Sequence, residues 1–127
     1  MSAPGAIDIP SAHSVTRTVD RLESILTARG IRIFARIDQA KEARAVGLSM
    51  PETQLLIFGD PRAGTPAMVK WPSLALDLPL KALVWEAPDG KVRLSYNSPD
   101  YLKARHGMDS APFQAIEALL HAATRPE

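Results

Sequence analysis

The run Leu55-Leu56-Ile57-Phe58 followed by Gly59-Asp60-Pro61-Arg62-Ala63-Gly64-Thr65-Pro66 constrains the fold most. Residues 53–59 are apolar on both faces, which marks a central strand rather than an edge. Gly and Pro then break the extended pattern. Thr65-Pro66 reads as a helix start, with Thr as N-cap and Pro at the first helical position. A strand running into a shaped loop and then a helix requires a sheet with helices packed on it.

The neighbouring segments extend that frame. Ile31 to Asp38 alternates, with Ile31, Ile33, Ala35 and Ile37 on one face and Arg32, Phe34, Arg36 and Asp38 on the other. Ile7-Asp8-Ile9-Pro10 is a short strand candidate. Ser14 is placed to cap a helix carrying Val15, Val19, Leu22, Ile25 and Leu26 at helical spacing, ended by Arg29-Gly30. Gln39 to Val46 reads as a short helix closed by Gly47. Ser73 to Leu78 is a helical turn or irregular. Leu80–Glu86 and Lys91–Tyr96 form a hairpin around Pro88-Asp89-Gly90. Ser98-Pro99 opens a helix to His106, closed by Gly107, and residues 111–123 form a last amphipathic helix with Phe113, Ile116, Leu119 and Leu120 on one side.

The expected fold is therefore α+β: a largely antiparallel sheet with helices on one face. With 127 residues, 46 % hydrophobic and 23 % charged, residues 1–127 are expected to form one domain. Phe34, Leu83 and Trp85 lie on strand faces that also carry Arg36 and Lys81. If they share one sheet face, that face is too apolar to stand free, which implies a homodimer or a ligand groove.

Several function classes are excluded or disfavoured by the residues themselves. There is no Cys, hence no disulfide, thiolate nucleophile or Cys-ligated metal. The net charge is +1 and the basic residues are interleaved with acids, so nucleic acid is not an expected partner. His13, His106 and His121 are far apart with no metal-ligand spacing, and no metal or other cofactor is expected. Residues 1–8 carry neither a basic region nor an apolar core of a leader. No apolar run approaches the roughly 20 residues of a membrane span. A cytoplasmic location follows as the expectation.

The Gly59–Thr65 loop has the glycine spacing of a phosphate-binding loop, but the lysine is missing and Pro61 removes an amide. A P-loop nucleotidase is rejected. What remains is an anion site built from a free Gly64 amide, Thr65 and Arg62 at a helix start, against the alternative of a turn with a cap. Asp38 ends a strand and is either a general base or the cap of the helix that follows. Asp77 and Lys81 flank Leu78-Pro79-Leu80 without a spacing that pairs them. Ser95 lacks a nucleophile elbow and an evident base. Trp71 and Trp85 are stacking platforms or packed aromatics.

Phe34-Ala35-Arg36-Ile37-Asp38, Leu55-Leu56-Ile57-Phe58-Gly59, Gly64-Thr65-Pro66, Leu76-Asp77-Leu78-Pro79-Leu80-Lys81 and Ser95-Tyr96-Asn97 with Pro99 and Tyr101 together resemble the bacterial family called domain of unknown function 302. The resemblance spans about residues 14–107. It implies a curved antiparallel sheet gripping a helix, in TATA-binding-protein-like topology, often paired into homodimers. It implies no activity, substrate or cofactor. Many members carry His directly after the aspartate where this chain has Gln39, which cannot titrate.

Two functional expectations result. The first is a non-enzymatic, homodimeric binding module for a small anionic ligand, with a groove lined by Asp38, Gly64, Thr65, Lys81 and Asn97. The alternatives are a small enzyme using Asp38 as acid or base, with Lys81 and the Gly64 and Thr65 amides stabilising negative charge, or a protein interaction domain.

Overall fold

The computed structural model describes residues 3–127. In chain order the elements are β1 (Ala6–Ser11), α1 (Val15–Ala28), β2 (Arg32–Asp38), α2 (Gln39–Ala45), β3 (Thr53–Gly59), α3 (Pro61–Lys70), a 3-10 turn (Pro72–Leu76), β4 (Leu80–Glu86), β5 (Val92–Asn97), α4 (Pro99–His106) and α5 (Ala115–Thr124). The strands form one antiparallel sheet in the order β1-β5-β4-β3-β2. The fold is α+β, as the strand and helix pattern requires.

Topology follows from α1. β1 and β2 are the two edges of the sheet, so the chain must cross its full width between them. It does so through α1, which packs on β2, β3 and β4 while α5 packs against α1 and β1. The Ser14 hydroxyl accepts from the Arg17 amide and starts α1. Gly30, at φ +72°, turns the chain out of it. Val19, Leu22 and Leu26 are fully buried against Leu56, Ala82, Val84 and Leu94, whose alternating positions form the inner sheet face. The hairpin between β4 and β5 and the Ser98 and Gly107 ends of α4 also stand where the sequence places them.

Two local expectations need correction. β2 does not present Ile33, Ala35 and Ile37 on one face. Ile33 pairs with Phe58 but Ala35 pairs with Ile57, so Phe34 is an extra, bulged residue. Past a bulge every side chain changes face. Ala35 and Ile37 therefore join Leu55 and Ile57 on the outer face, and Arg36 turns inward to α1. There its Nη1 donates to Asp20 at 2.7 Å and Glu23 at 3.1 Å, and its Nε donates to Gln54 Oε1 at 3.0 Å. The second correction concerns α3, which begins at Pro61 rather than at Pro66. Asp60 Oδ1 accepts from the Arg62 amide, so Asp-Pro makes the helix start and Pro66 lies inside the helix.

A smaller core of Ala67, Leu74, Met108 and Phe113 joins α3, the 3-10 turn and the segment before α5. Tyr96, buried at the end of β5, donates to Glu117 Oε2 of α5 at 2.5 Å. Burial, then the Glu117 hydrogen bond and charge, push the Tyr96 phenol well above its ordinary value. The neutral phenol is thus favoured by folding. That contribution is complete below pH ~10, where an unfolded tyrosine ionises, and is lost as the pH rises further. Urea midpoints of the wild type should fall above pH ~10, and Tyr96→Phe should flatten that decline.

Candidate functional site

The five residues expected to share a groove are distributed over three places. Asp38 lies opposite Gln54, and Gly59, at the far end of β3, lies opposite Arg32. Five strand steps at about 3.3 Å each separate the two ends by roughly 17 Å. Asp38 Oδ1 accepts from the Lys41 amide at 2.9 Å and caps α2. Acid or base chemistry by Asp38 with Lys81 or the Gly64 loop is therefore removed: the carboxylate serves the free amides of a helix start.

Gly64 and Thr65 sit inside α3, and the Gly64 amide is already bonded to the Asp60 carbonyl at 2.8 Å. Arg62 is committed as well. Its Nε and Nη2 donate to the two Asp60 carboxylate oxygens at 3.0 and 3.2 Å. That hydrogen-bonded guanidinium holds the Asp60 carboxyl below the usual carboxylate range, and Asp60 raises Arg62 in turn. The anion site expected from a free Gly64 amide and Arg62 loses that amide, because the helix begins earlier than Thr65-Pro66 suggests, and the Arg62 charge is paired with Asp60. Gly64 and Thr65 instead line an apolar cleft of about 390 Å³ with Phe34, Met68, Pro79 and Ile116. A Cβ on Gly64 would meet Leu78 Cδ1 at 3.6 Å, ordinary contact, so the glycine is not demanded by the wall behind it.

Lys81 and Asn97 do come together. Leu55, Leu83, Ser95 and Asp8 are directly opposed in register across β3, β4, β5 and β1. Lys81 and Asn97 each lie two residues along the same outer faces. They line a hollow of about 350 Å³ with Leu55, Leu83, Trp85 and Asp8. Across its floor runs a hydrogen-bond chain: Trp85 Nε1 donates to Ser95 Oγ at 2.9 Å, and Ser95 Oγ donates to Asp8 Oδ1 at 2.5 Å. Trp85 is thereby held as a fixed platform and the Ser95 proton is directed at a carboxylate. Lys81 and Asn97 are exposed, and neither side chain is held by another described residue.

A separate cluster lies beside the 3-10 turn. Asp77 accepts from Arg105 Nη1 at 3.1 Å and contacts His106 Nε2 at 2.5 Å. Ser73 Oγ lies 2.7 Å from the other ring nitrogen, His106 Nδ1. Neither this cluster nor the Asp8–Ser95–Trp85 chain has a local signal, since their members are separated by 29 and 87 residues. Among the described residues no group of three His, Cys, Asp or Glu side chains is arranged for a metal.

The family profile described as Domain of unknown function DUF302 matches residues 7–125. Two relatives from Brucella suis and Brucella abortus, each named fluoride-specific ion channel FluC 1, are 38 % identical over 116 residues, or 91 % of this chain. The chain spans 46 % and 43 % of their lengths, less than half of either. The crystal structure of an uncharacterized conserved DUF302 protein from Bacillus stearothermophilus superposes with a TM-score of 0.79, covering 96 % of this chain and 97 % of that one. At 18 % identity it shows a shared fold.

The cap role of Asp38 has a direct check. Asp38→Asn, which retains a capping oxygen, should leave stability within a few tenths of a kcal/mol, whereas Asp38→Ala should cost about 1 kcal/mol in urea unfolding.

Proposed function

This chain belongs to the DUF302 family, and we propose that it is a small-ligand-binding module whose ligand occupies the hollow over Lys81 and Asn97. One observation carries this reading: an exposed ammonium and an exposed amide converge on a hollow whose floor is a hydrogen-bonded tryptophan. Its volume of about 350 Å³ falls at the lower end of the range of small-molecule sites. Lys81 supplies charge for a carboxylate or phosphate, and Asn97 supplies two N–H donors beside it. Leu83 and the Trp85 ring supply a surface for an apolar or aromatic body. The Asp8 carboxylate, two register positions from Asn97, repels an anion placed the wrong way round and so orients the ligand.

The Brucella relatives are named as channels, and a channel must cross a bilayer. No described helix of this chain is long and apolar enough to do so. We therefore take the shared segment to be an attached domain of those longer proteins and not their conducting part. We place this chain in the cytoplasm, where small anionic metabolites are abundant.

The test is a thermal-shift screen with carboxylates and phosphorylated metabolites carrying apolar or aromatic groups. A ligand at about 100 times its dissociation constant adds about 2.7 kcal/mol to the native state. For a domain of this size that raises Tm by several degrees. Lys81→Met should remove the shift of a bound anion without lowering the Tm of the free protein. A shift that persists in Lys81→Met would place the ligand elsewhere, in the apolar cleft beside Gly64, and overturn this site.

The remainder of the outer face supports homodimerisation. Away from the hollow, Ala35, Ile37 and Ile57 on β2 and β3 are uncharged and only half-buried, and the charges Lys81, Asp8 and Arg93 lie on the other three strands. Two such faces can meet about a two-fold axis without opposing like charges at the centre. Light scattering should give twice the 13.8 kDa chain mass at micromolar concentration, and Ile37→Glu should return it to the monomer. A monomeric wild type at tens of micromolar would sink the dimer while leaving the ligand site standing.

A further inference from the structure

We infer that Ser73 is an activated nucleophile, with His106 as its general base and Asp77 positioning the imidazole. Ser73 is exposed in the 3-10 turn, and its Oγ lies 2.7 Å from His106 Nδ1. The His106 side chain is only 2 % exposed and that of Asp77 13 %, with His106 Nε2 2.5 Å from Asp77 Oδ2. A carboxylate can only accept, so the neutral ring carries its proton on Nε2 and leaves Nδ1 as the acceptor facing the serine. That is the order of roles a nucleophile, base and orienting acid require, whatever their order in the chain. Arg105 Nη1 contacts both Asp77 oxygens at 3.1 Å, which holds the carboxylate against the ring.

The serine differs from its two partners in being open to solvent, so a reagent can reach it while the base is screened from water. Leu76 lies three residues further along the same 3-10 turn, where side chains at i and i+3 eclipse. It is 73 % exposed and gives a substrate's apolar group a surface beside the hydroxyl. The substrate class is thus an activated carboxylic ester with a short apolar acyl group. Ser73 Oγ attacks the carbonyl carbon as its proton passes to His106 Nδ1. The bond to the leaving oxygen then breaks and that oxygen takes the proton from Nδ1. The products are acyl-Ser73 and the free alcohol. Water attacks the acyl group in turn, its proton passing through His106 back to Ser73, which releases the acid.

The full chain is incubated with a fluorophosphonate probe and with p-nitrophenyl acetate, and adducts are located by mass spectrometry. Native protein should label at Ser73 and no faster elsewhere. Ser73→Ala should lose the adduct, and His106→Gln should slow it by about 100-fold, the usual contribution of a general base. Asp77→Asn should lie between the native protein and His106→Gln, because it disturbs the ring's tautomer while leaving the base in place. Urea-unfolded wild type serves as the reference that needs no variant: its Ser73 should react at least 10-fold more slowly than in the native state. Native Ser73 labelling no faster than in urea, or equal labelling in a folded His106→Gln, would overturn the assignment and leave the cluster as a packing contact.

Discussion

The burial of one helix face against one sheet face is the constraint on which everything else in this molecule rests. Val19, Leu22 and Leu26 are withdrawn completely from water against Leu56, Val84 and Leu94. Full burial of such a side chain is worth about 1.5–3 kcal/mol relative to exposure. Because α1 must travel from one edge strand to the other, this same packing sets the strand order. The inner face is consumed in holding the helix. Chemistry is left to the outer face, the strand ends and the short elements beyond the sheet.

The bulge at Phe34 shows how little it takes to redistribute function across such a sheet. One extra residue in β2 moves Arg36 to the helix side, where two carboxylates of α1 and the Gln54 amide receive it. The same shift brings Ala35 and Ile37 out to Leu55 and Ile57. A charged residue is thus bound internally and an apolar surface created by a single backbone irregularity.

Much of the fold was readable because its signals are local. Ser14, Gly30, Ser98-Pro99 and Gly107 act within one turn of where they stand, through amides and φ angles of their own neighbours. Leu80–Glu86 and the strand after it announce a hairpin for the same reason. Local reading erred where two local signals competed. Asp60-Pro61 and Thr65-Pro66 are both cap-plus-proline pairs, and the first won because the Asp60 carboxylate and carbonyl both take amides of the next turn. The site residues fared less evenly: Lys81 and Asn97 meet in one hollow, Gly64 and Thr65 line another, and Asp38 belongs to neither.

By itself the sequence determined the α+β class, the hairpin, most helix ends and the membership of the DUF302 family, because periodicity and capping depend on residues a few positions apart. Only the tertiary structure decided which side chains meet. Asp8 reaches Ser95, and Ser73 and Asp77 reach His106, across separations that no spacing rule connects. The physical reason is register. A side chain's face in a sheet inverts with every single-residue shift, and its partners are fixed only when the strands pair and the helices close over them.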